Sequence, residues 1–213
     1  MKYANIHIYS SEGLEQAKKL GIISSGLVDF LIATHLNNDT PYLFDNTHSG
    51  RAFAMFRHPI KRAVSKYLYL KSNHKDVENM SLLQFSHSEW VDNNWMVRSL
   101  TNDFISETVS ELHVEIAKEF MRRKVFVGLV ERFEESMIRF EQYFQWWDDW
   151  IKKDGKIRDC QEVTMLRGKE GFTHEQVPPE SDEFKVLEMH NWADLKIYEF
   201  SKILFEEQES LVR

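Results

Sequence analysis

A chain of 213 residues with 42% hydrophobic and 13% aromatic residues is long enough to bury one sizeable core and too ordered in composition to be a disordered segment. Its 27 Lys plus Arg against 34 Asp plus Glu leave a formal net charge of −7, which excludes a chain-wide basic footprint for nucleic acid. The single cysteine, Cys160, excludes an internal disulfide, and no window holds the roughly 18 to 20 apolar residues of a membrane span. One soluble domain over residues 1–213 is the expectation, and the opening Met1-Lys2-Tyr3-Ala4-Asn5 lacks the charged-then-apolar layout of a signal peptide.

The first candidate strand is Ala4 to Tyr9. A helix follows from Ser11-Glu12-Gly13-Leu14, with Leu14, Ala17, Lys18 and Leu20 on one side and Gly21 as its stop. Val28 to Ala33 reads as a strand and Asn37 to Pro41 as a polar loop. Ala52 to Phe56 is a continuous apolar run, the pattern of a strand covered on both faces. Proline is favoured at a first helical position, so Pro59 opens a helix. At about 100° per residue its Ile60, Val64, Tyr67 and Leu68 share one side, and His58, Lys61, Arg62 and Ser65 share the other.

Beyond it the pattern predicts a polar loop around Ser72 to Asn79 and helices near Ser81 to Phe85, Asn93 to Leu100 and Glu107 to Arg123. Val125 to Val130 is the second clear strand, and Glu131 to Phe144 an amphipathic helix burying Phe133, Met137, Phe140 and Phe144. Asp148 to Phe172 reads as irregular, with Trp146, Trp147 and Trp150 at its start, as sugar-stacking rings or as helix-end packing. Ser181 to about Glu207 reads as one long helix after Pro178-Pro179. Strands alternating with helices point to an α/β fold with a largely parallel sheet.

Chemistry concentrates in Arg57-His58-Pro59-Ile60-Lys61-Arg62-Ala63-Val64-Ser65-Lys66-Tyr67. A strand that ends on arginine and turns at once into a helix brings a forked cation and free helix-start amides to the carboxyl edge of the sheet. That is where α/β folds bind anionic ligands. An ordinary strand-turn-helix with a solvated basic face carries the same residues.

The spacing Arg-x-Pro-x-x-Arg-x-x-Ser-x-Tyr resembles the 3′-phosphate motif of the Golgi-type carbohydrate sulfotransferases, of the heparan sulfate or uronyl 2-O-sulfotransferase kind. Val125-Phe126-Val127-Gly128-Leu129-Val130-Glu131-Arg132-Phe133-Glu134-Glu135-Ser136 resembles that family's later strand and helix. Asn94-Trp95-Met96-Val97-Arg98-Ser99-Leu100 is similar to its central Asn-x-x-x-Arg segment, and order and spacing agree over about 30–205.

The resemblance implies a P-loop-NTPase-like sulfotransferase fold, a central mostly parallel sheet flanked by helices, with a core over about 28–205. It implies a sulfuryl donor, 3′-phosphoadenosine 5′-phosphosulfate, and a hydroxyl acceptor on a carbohydrate, with no metal and no nucleic acid. Arg57 and Ser65 match the residues that hold the 3′-phosphate. Arg62 either touches the nucleotide or forms a salt bridge on the helix face. Arg167, in Met165-Leu166-Arg167-Gly168-Lys169, stands where the family closes a late loop over the nucleotide.

Asn94 and Arg98 would face the acceptor or the nucleotide. His35 stands at a separation from Arg57 comparable to that of the family's catalytic histidine; an imidazole with a pKa near ~6.5 suits a general base. His48 and His58 are its rivals.

The family's Pro-Lys-x-Gly/Ser-x-Thr turn, which grips the 5′-phosphosulfate, has no match here: Ile22-Ile23-Ser24-Ser25-Gly26 lacks the lysine. The expectation is therefore an N-terminally incomplete member of the family, a Golgi protein whose anchor is not in this chain. The alternative is a catalytically silent nucleotide-binding or scaffold relative. A kinase is disfavoured, because no Gly-x-x-x-x-Gly-Lys-Ser/Thr loop is present.

Overall fold

Two five-residue apolar runs, β1 (Ala52–Phe56) and β2 (Val125–Leu129), pair in parallel with Ala52 opposite Val125 and Phe56 opposite Leu129. They form the sheet of a computed structural model that describes residues 10–26, 28, 31–32, 42–48, 50–145 and 177–212. Around it lie α1 (Ser11–Lys19), α2 (Pro59–Asn73), α3 (Lys75–Glu78), α4 (Leu82–Ser86), α5 (Trp95–Thr101), α6 (Glu111–Lys124), α7 (Phe133–Phe144), α8 (Asp182–His190) and α9 (Trp192–Glu207). The protein is α/β and mostly helical, and its described sheet has two strands rather than the broad central sheet expected.

One edge of this strand pair is closed locally. On the side of β2 away from β1, the Gln208 side chain takes two backbone groups. Its Oε1 accepts from Val127 N–H at 2.8 Å, and its Nε2 donates to the Val125 carbonyl at 2.8 Å. A side-chain amide thus occupies the edge where a third strand would pair. The candidate strand Ala4 to Tyr9 lies outside the described residues. Of Val28 to Ala33 only Val28, Leu31 and Ile32 are described, and they are in no strand.

β2 is buried at every position, as its unbroken apolar run requires. It packs with Met96, Val97 and Leu100 of α5, Val114, Ala117 and Met121 of α6, and Ala193, Ile197, Leu204 and Phe205 of α9. A second cluster joins Ile60, Ala63 and Val64 of α2 to Leu187 of α8, so the apolar side of α2 faces inward as its periodicity predicts. Leu68, at the margin of that side, is 39% exposed.

Several boundaries differ from the sequence reading. Residues 72–79 are not a loop: α2 runs to Asn73 and α3 follows directly from His74. The helix expected from Glu107 begins at Glu111, because Ser110 and His113 form a capping box there and the preceding turn is held by Asp103. The helix expected from Glu131 begins at Phe133, after a tight 3₁₀ turn over Val130–Arg132. The long helix Ser181 to Glu207 is two helices, broken at Asn191. Asp148 to Phe172, with Cys160 and Trp150, and the tryptophans Trp146 and Trp147 lie outside the described residues.

No helix among the described residues is long and apolar enough to cross a membrane.

Candidate functional site

Because Phe56 pairs with Leu129, both strands end at the same level. The turn into α2, carrying Arg57 and His58, therefore emerges beside the turn Val130–Arg132 that leaves β2. Ser136, fully buried one turn into α7, holds the second turn in place. Its Oγ accepts from Leu129 N–H at 2.8 Å and lies 2.8 Å from the Arg132 carbonyl. With strand end and helix start tied together, Glu131 projects from the tip of the turn.

The Glu131 carboxylate reaches across to the start of α2. Its Oε1 accepts from the backbone N–H of His58 at 3.2 Å and lies 3.8 Å from Lys61 Nζ. The Tyr198 hydroxyl of α9 lies near the same carboxylate and feels its charge. Arg57 also feels its charge, which favours the guanidinium. The start of α2 has no side-chain cap of its own, and Pro59 contributes no N–H. A carboxylate from another segment thus supplies the negative charge that a helix N-terminus attracts.

The electrostatics follow from partial burial. Burial depresses the Arg57 pKa and Glu131 opposes the shift; an arginine so placed stays charged. Burial also depresses the His58 pKa, with Glu131 and Glu199 opposing and Lys61 and Lys202 adding, so the imidazole is neutral at pH 7. Its ring lies edge-on to Tyr198 at 5.3 Å, and its buried Nδ1 has no hydrogen-bond partner. Burial, then the Glu131 charge, raise the Tyr198 pKa, which keeps that hydroxyl a donor.

Of the residues expected to form the site, Arg57 and Ser65 belong to this edge and to α2, both half-buried. Ser65 follows Lys61 by one helical turn on the same side of α2. Arg62 points elsewhere: its Nη2 lies 3.0 Å from Asp194 Oδ2 and 3.3 Å from Asn191 Oδ1 at the start of α9. It therefore forms a salt bridge, to the buried Asp194 of α9 and not on the face of its own helix. Its Nε and Nη1 remain buried without partners, and its guanidinium stands 5.3 Å from the Trp95 ring centroid.

Asn94 is 1% exposed, and its Oδ1 accepts from the N–H groups of Ala193 at 2.8 Å and Asp194 at 3.2 Å. The Arg98 guanidinium donates to the carbonyls of Asn93, Asp103, Ser106 and Glu107. Both side chains, expected to face the acceptor or the nucleotide, hold the chain's own loops and helix starts. His48 sits in a local turn, 3.1 Å from Asp45. His35 and Arg167 lie outside the described residues.

The sequence reading passed over Glu131, Tyr198 and Asp194 as working groups. Each acts on a segment distant in sequence, which local pattern does not show. One signal was available: Glu131 follows β2 just as Arg57 follows β1, within two residues of the strand end. Among the described residues no three of His, Cys, Asp and Glu gather as a metal would need.

Comparison of the chain with protein-family models, with curated proteins and with solved structures returned no match.

Proposed function

We propose that the turn between β1 and α2 binds the 3′-phosphate of 3′-phosphoadenosine 5′-phosphosulfate, and that the chain is a sulfotransferase-like domain acting on a hydroxyl, most naturally of a carbohydrate. The observation that carries this reading is the edge itself: the α2 N-terminus and Lys61 face one carboxylate, Glu131, whose charge Arg57 also feels, so the fold already holds an anion there. A phosphate needs the same donors, and arginine at the mouth suits its fork geometry. Ser65, one turn beyond Lys61, would complete the shell.

The finer assignments belong to the same proposal. His35 would serve as general base toward the acceptor hydroxyl, and Arg167 would close over the nucleotide. A P-loop-type sulfotransferase fold and residence in the Golgi are what the motif resemblance implies. Transfer also needs donors on the leaving 5′-phosphate, each worth ~3 kcal/mol or more, and the quoted motifs do not include them.

A second reading, nucleotide binding without transfer, has a specific observation in its favour: Asn94 and Arg98 are engaged internally. The two share the 3′-phosphate site and differ in turnover.

The test is thermal stability with adenosine 3′,5′-bisphosphate against 5′-AMP. At about 100 times its dissociation constant, a ligand adds roughly 2.7 kcal/mol. A shift with the bisphosphate alone, lost in Arg57→Ala, supports the reading. Equal shifts with both nucleotides, or none with either, would overturn it. Sulfate transfer to a glycan acceptor then separates the two versions.

A further inference from the structure

Glu131 is placed where a ligand's anion is expected, and it belongs to the protein. Its carboxylate accepts from the His58 N–H and lies 3.8 Å from Lys61 Nζ, and both the Arg57 guanidinium and the Tyr198 hydroxyl feel its charge. Tyr198 is 6% exposed and fixed in the core by α9, so its hydroxyl is a rigid donor that cannot follow Glu131 outward. Around the group, α9 adds Glu199 and Lys202, and the turn itself adds Arg132, whose guanidinium is taken by Glu135 and Glu206. A carboxylate and a phosphate cannot share those donors, because like charges at contact repel strongly in a half-buried site.

We propose that Glu131 is an internal competitor for the anion site, held inward by the His58 N–H and Lys61, and that an oxyanion binds only when this carboxylate swings away. The inference rests on the reading of the β1–α2 turn as an anion site and adds its regulation. The Glu131-in state is the closed form. A ligand sees its affinity reduced by the fraction of molecules in that form. Release leaves the His58 N–H and Lys61 as donors facing the vacated position, with the Tyr198 hydroxyl nearby.

The experiment measures binding of two probes, adenosine 3′,5′-bisphosphate and inorganic phosphate, to the wild-type chain, Glu131→Gln and Tyr198→Phe. Glu131→Gln keeps an acceptor for the His58 N–H but loses the charge. The expected result is a gain of about tenfold or more in affinity for both probes, corresponding to a closed form populated at about 90%. That gain should shrink at high salt, since part of it is electrostatic. Tyr198→Phe keeps the Glu131 charge, so its affinity should change far less. Loss of a merely structural residue would weaken binding, so the direction of the change is the diagnostic.

Equal affinity of wild type and Glu131→Gln for the bisphosphate would overturn the competitor and leave the 3′-phosphate reading standing. Tighter phosphate binding by Glu131→Gln without preference for the bisphosphate over 5′-AMP would support the competitor and sink the nucleotide reading. Absence of binding by all three proteins at wild-type unfolding midpoints would overturn both.

Discussion

Asn94 and Asp194 cap each other's helices. Asn94, the left-handed residue that opens α5 (φ 48°), accepts from the Asp194 N–H at the start of α9. Asp194 in return accepts from the N–H groups of Met96 and Val97, the free donors at the start of α5, at 2.9 Å each. Both side chains are buried, so no water replaces either bond, and Arg62 neutralises the carboxylate from α2. Three helices are joined by one exchange.

Removal of either cap should therefore cost more than a surface cap does. Asn94→Ala should destabilise by about 2 kcal/mol, the upper end for an N-cap. Asp194→Ala should cost about 3–5 kcal/mol, because it also strands the Arg62 charge. Urea unfolding of the two single variants and the double variant closes a thermodynamic cycle. The coupling should fall in the range of about 0.5–3 kcal/mol found for contacting residues. Simple additivity would mean that the two caps act independently.

Gly128 faces a different constraint, close approach across the sheet. A Cβ built there would lie 2.5 Å from Met55 Sδ, its partner in register, and 2.5 Å from Phe140 Cζ. Met55 has a flexible end, but Phe140 is fully buried among aromatic rings and cannot retreat. Gly128→Ala should cost about 1–3 kcal/mol by overpacking, read as a lower urea midpoint at unchanged slope. Phe140→Leu in the same chain should recover part of that loss. A neutral Gly128→Ala would show that the contact relaxes freely.

What could be read from sequence divides along the distance over which each residue acts. β1, β2 and the start of α2 were legible because five apolar residues bounded by Arg57 and Pro59, or by Lys124 and the Val130 turn, need only their neighbours to specify them. The break at Asn191 was not, since the cap that permits it comes from Asn94, about a hundred residues earlier. Gln208 standing in for a strand on β2 is likewise invisible to periodicity, and so the sheet was expected to be wider. The cation side of the site was legible in Arg57 and Lys61. Its anion side was hidden, because Glu131 becomes meaningful only once the two strand ends lie side by side.

His58 gives the site a pH dependence of definite sign. Its folded pKa lies below the ordinary value of about 6.5, chiefly through burial, with Glu131 and Glu199 opposing and Lys61 and Lys202 reinforcing. A depressed pKa means that the unfolded chain takes up the proton first. The stability contribution is intact above pH ~6.5 and is lost as pH falls through the folded value. Unfolding midpoints of wild type and His58→Phe should run parallel above pH ~6.5 and diverge below it, the wild type losing more. An NMR titration of the imidazole should show its midpoint below that of a free histidine, and a midpoint above it would reverse the argument.

Arg98 separates a structural role from an acceptor-binding one. Its guanidinium gathers four carbonyls, with Nη1 at 2.8 Å from Ser106 and Nε at 2.9 Å from Asn93, and so closes the chain between α5 and α6. Asp103 supports the same turn by accepting from the Ser106 N–H and hydroxyl, bonds that hold its carboxyl well below the usual carboxylate range. Stability from a depressed carboxyl is present above its unfolded pKa of about 3.9 and lost as pH falls further, so this turn should loosen in acid. Arg98→Lys keeps the charge but not the fork; it should cost about 1–3 kcal/mol and speed amide exchange over residues 103–107. If Arg98 instead serves an acceptor, Arg98→Lys will weaken acceptor binding at unchanged stability and exchange. Measured together, exchange rates and unfolding midpoints distinguish the two roles in a single variant.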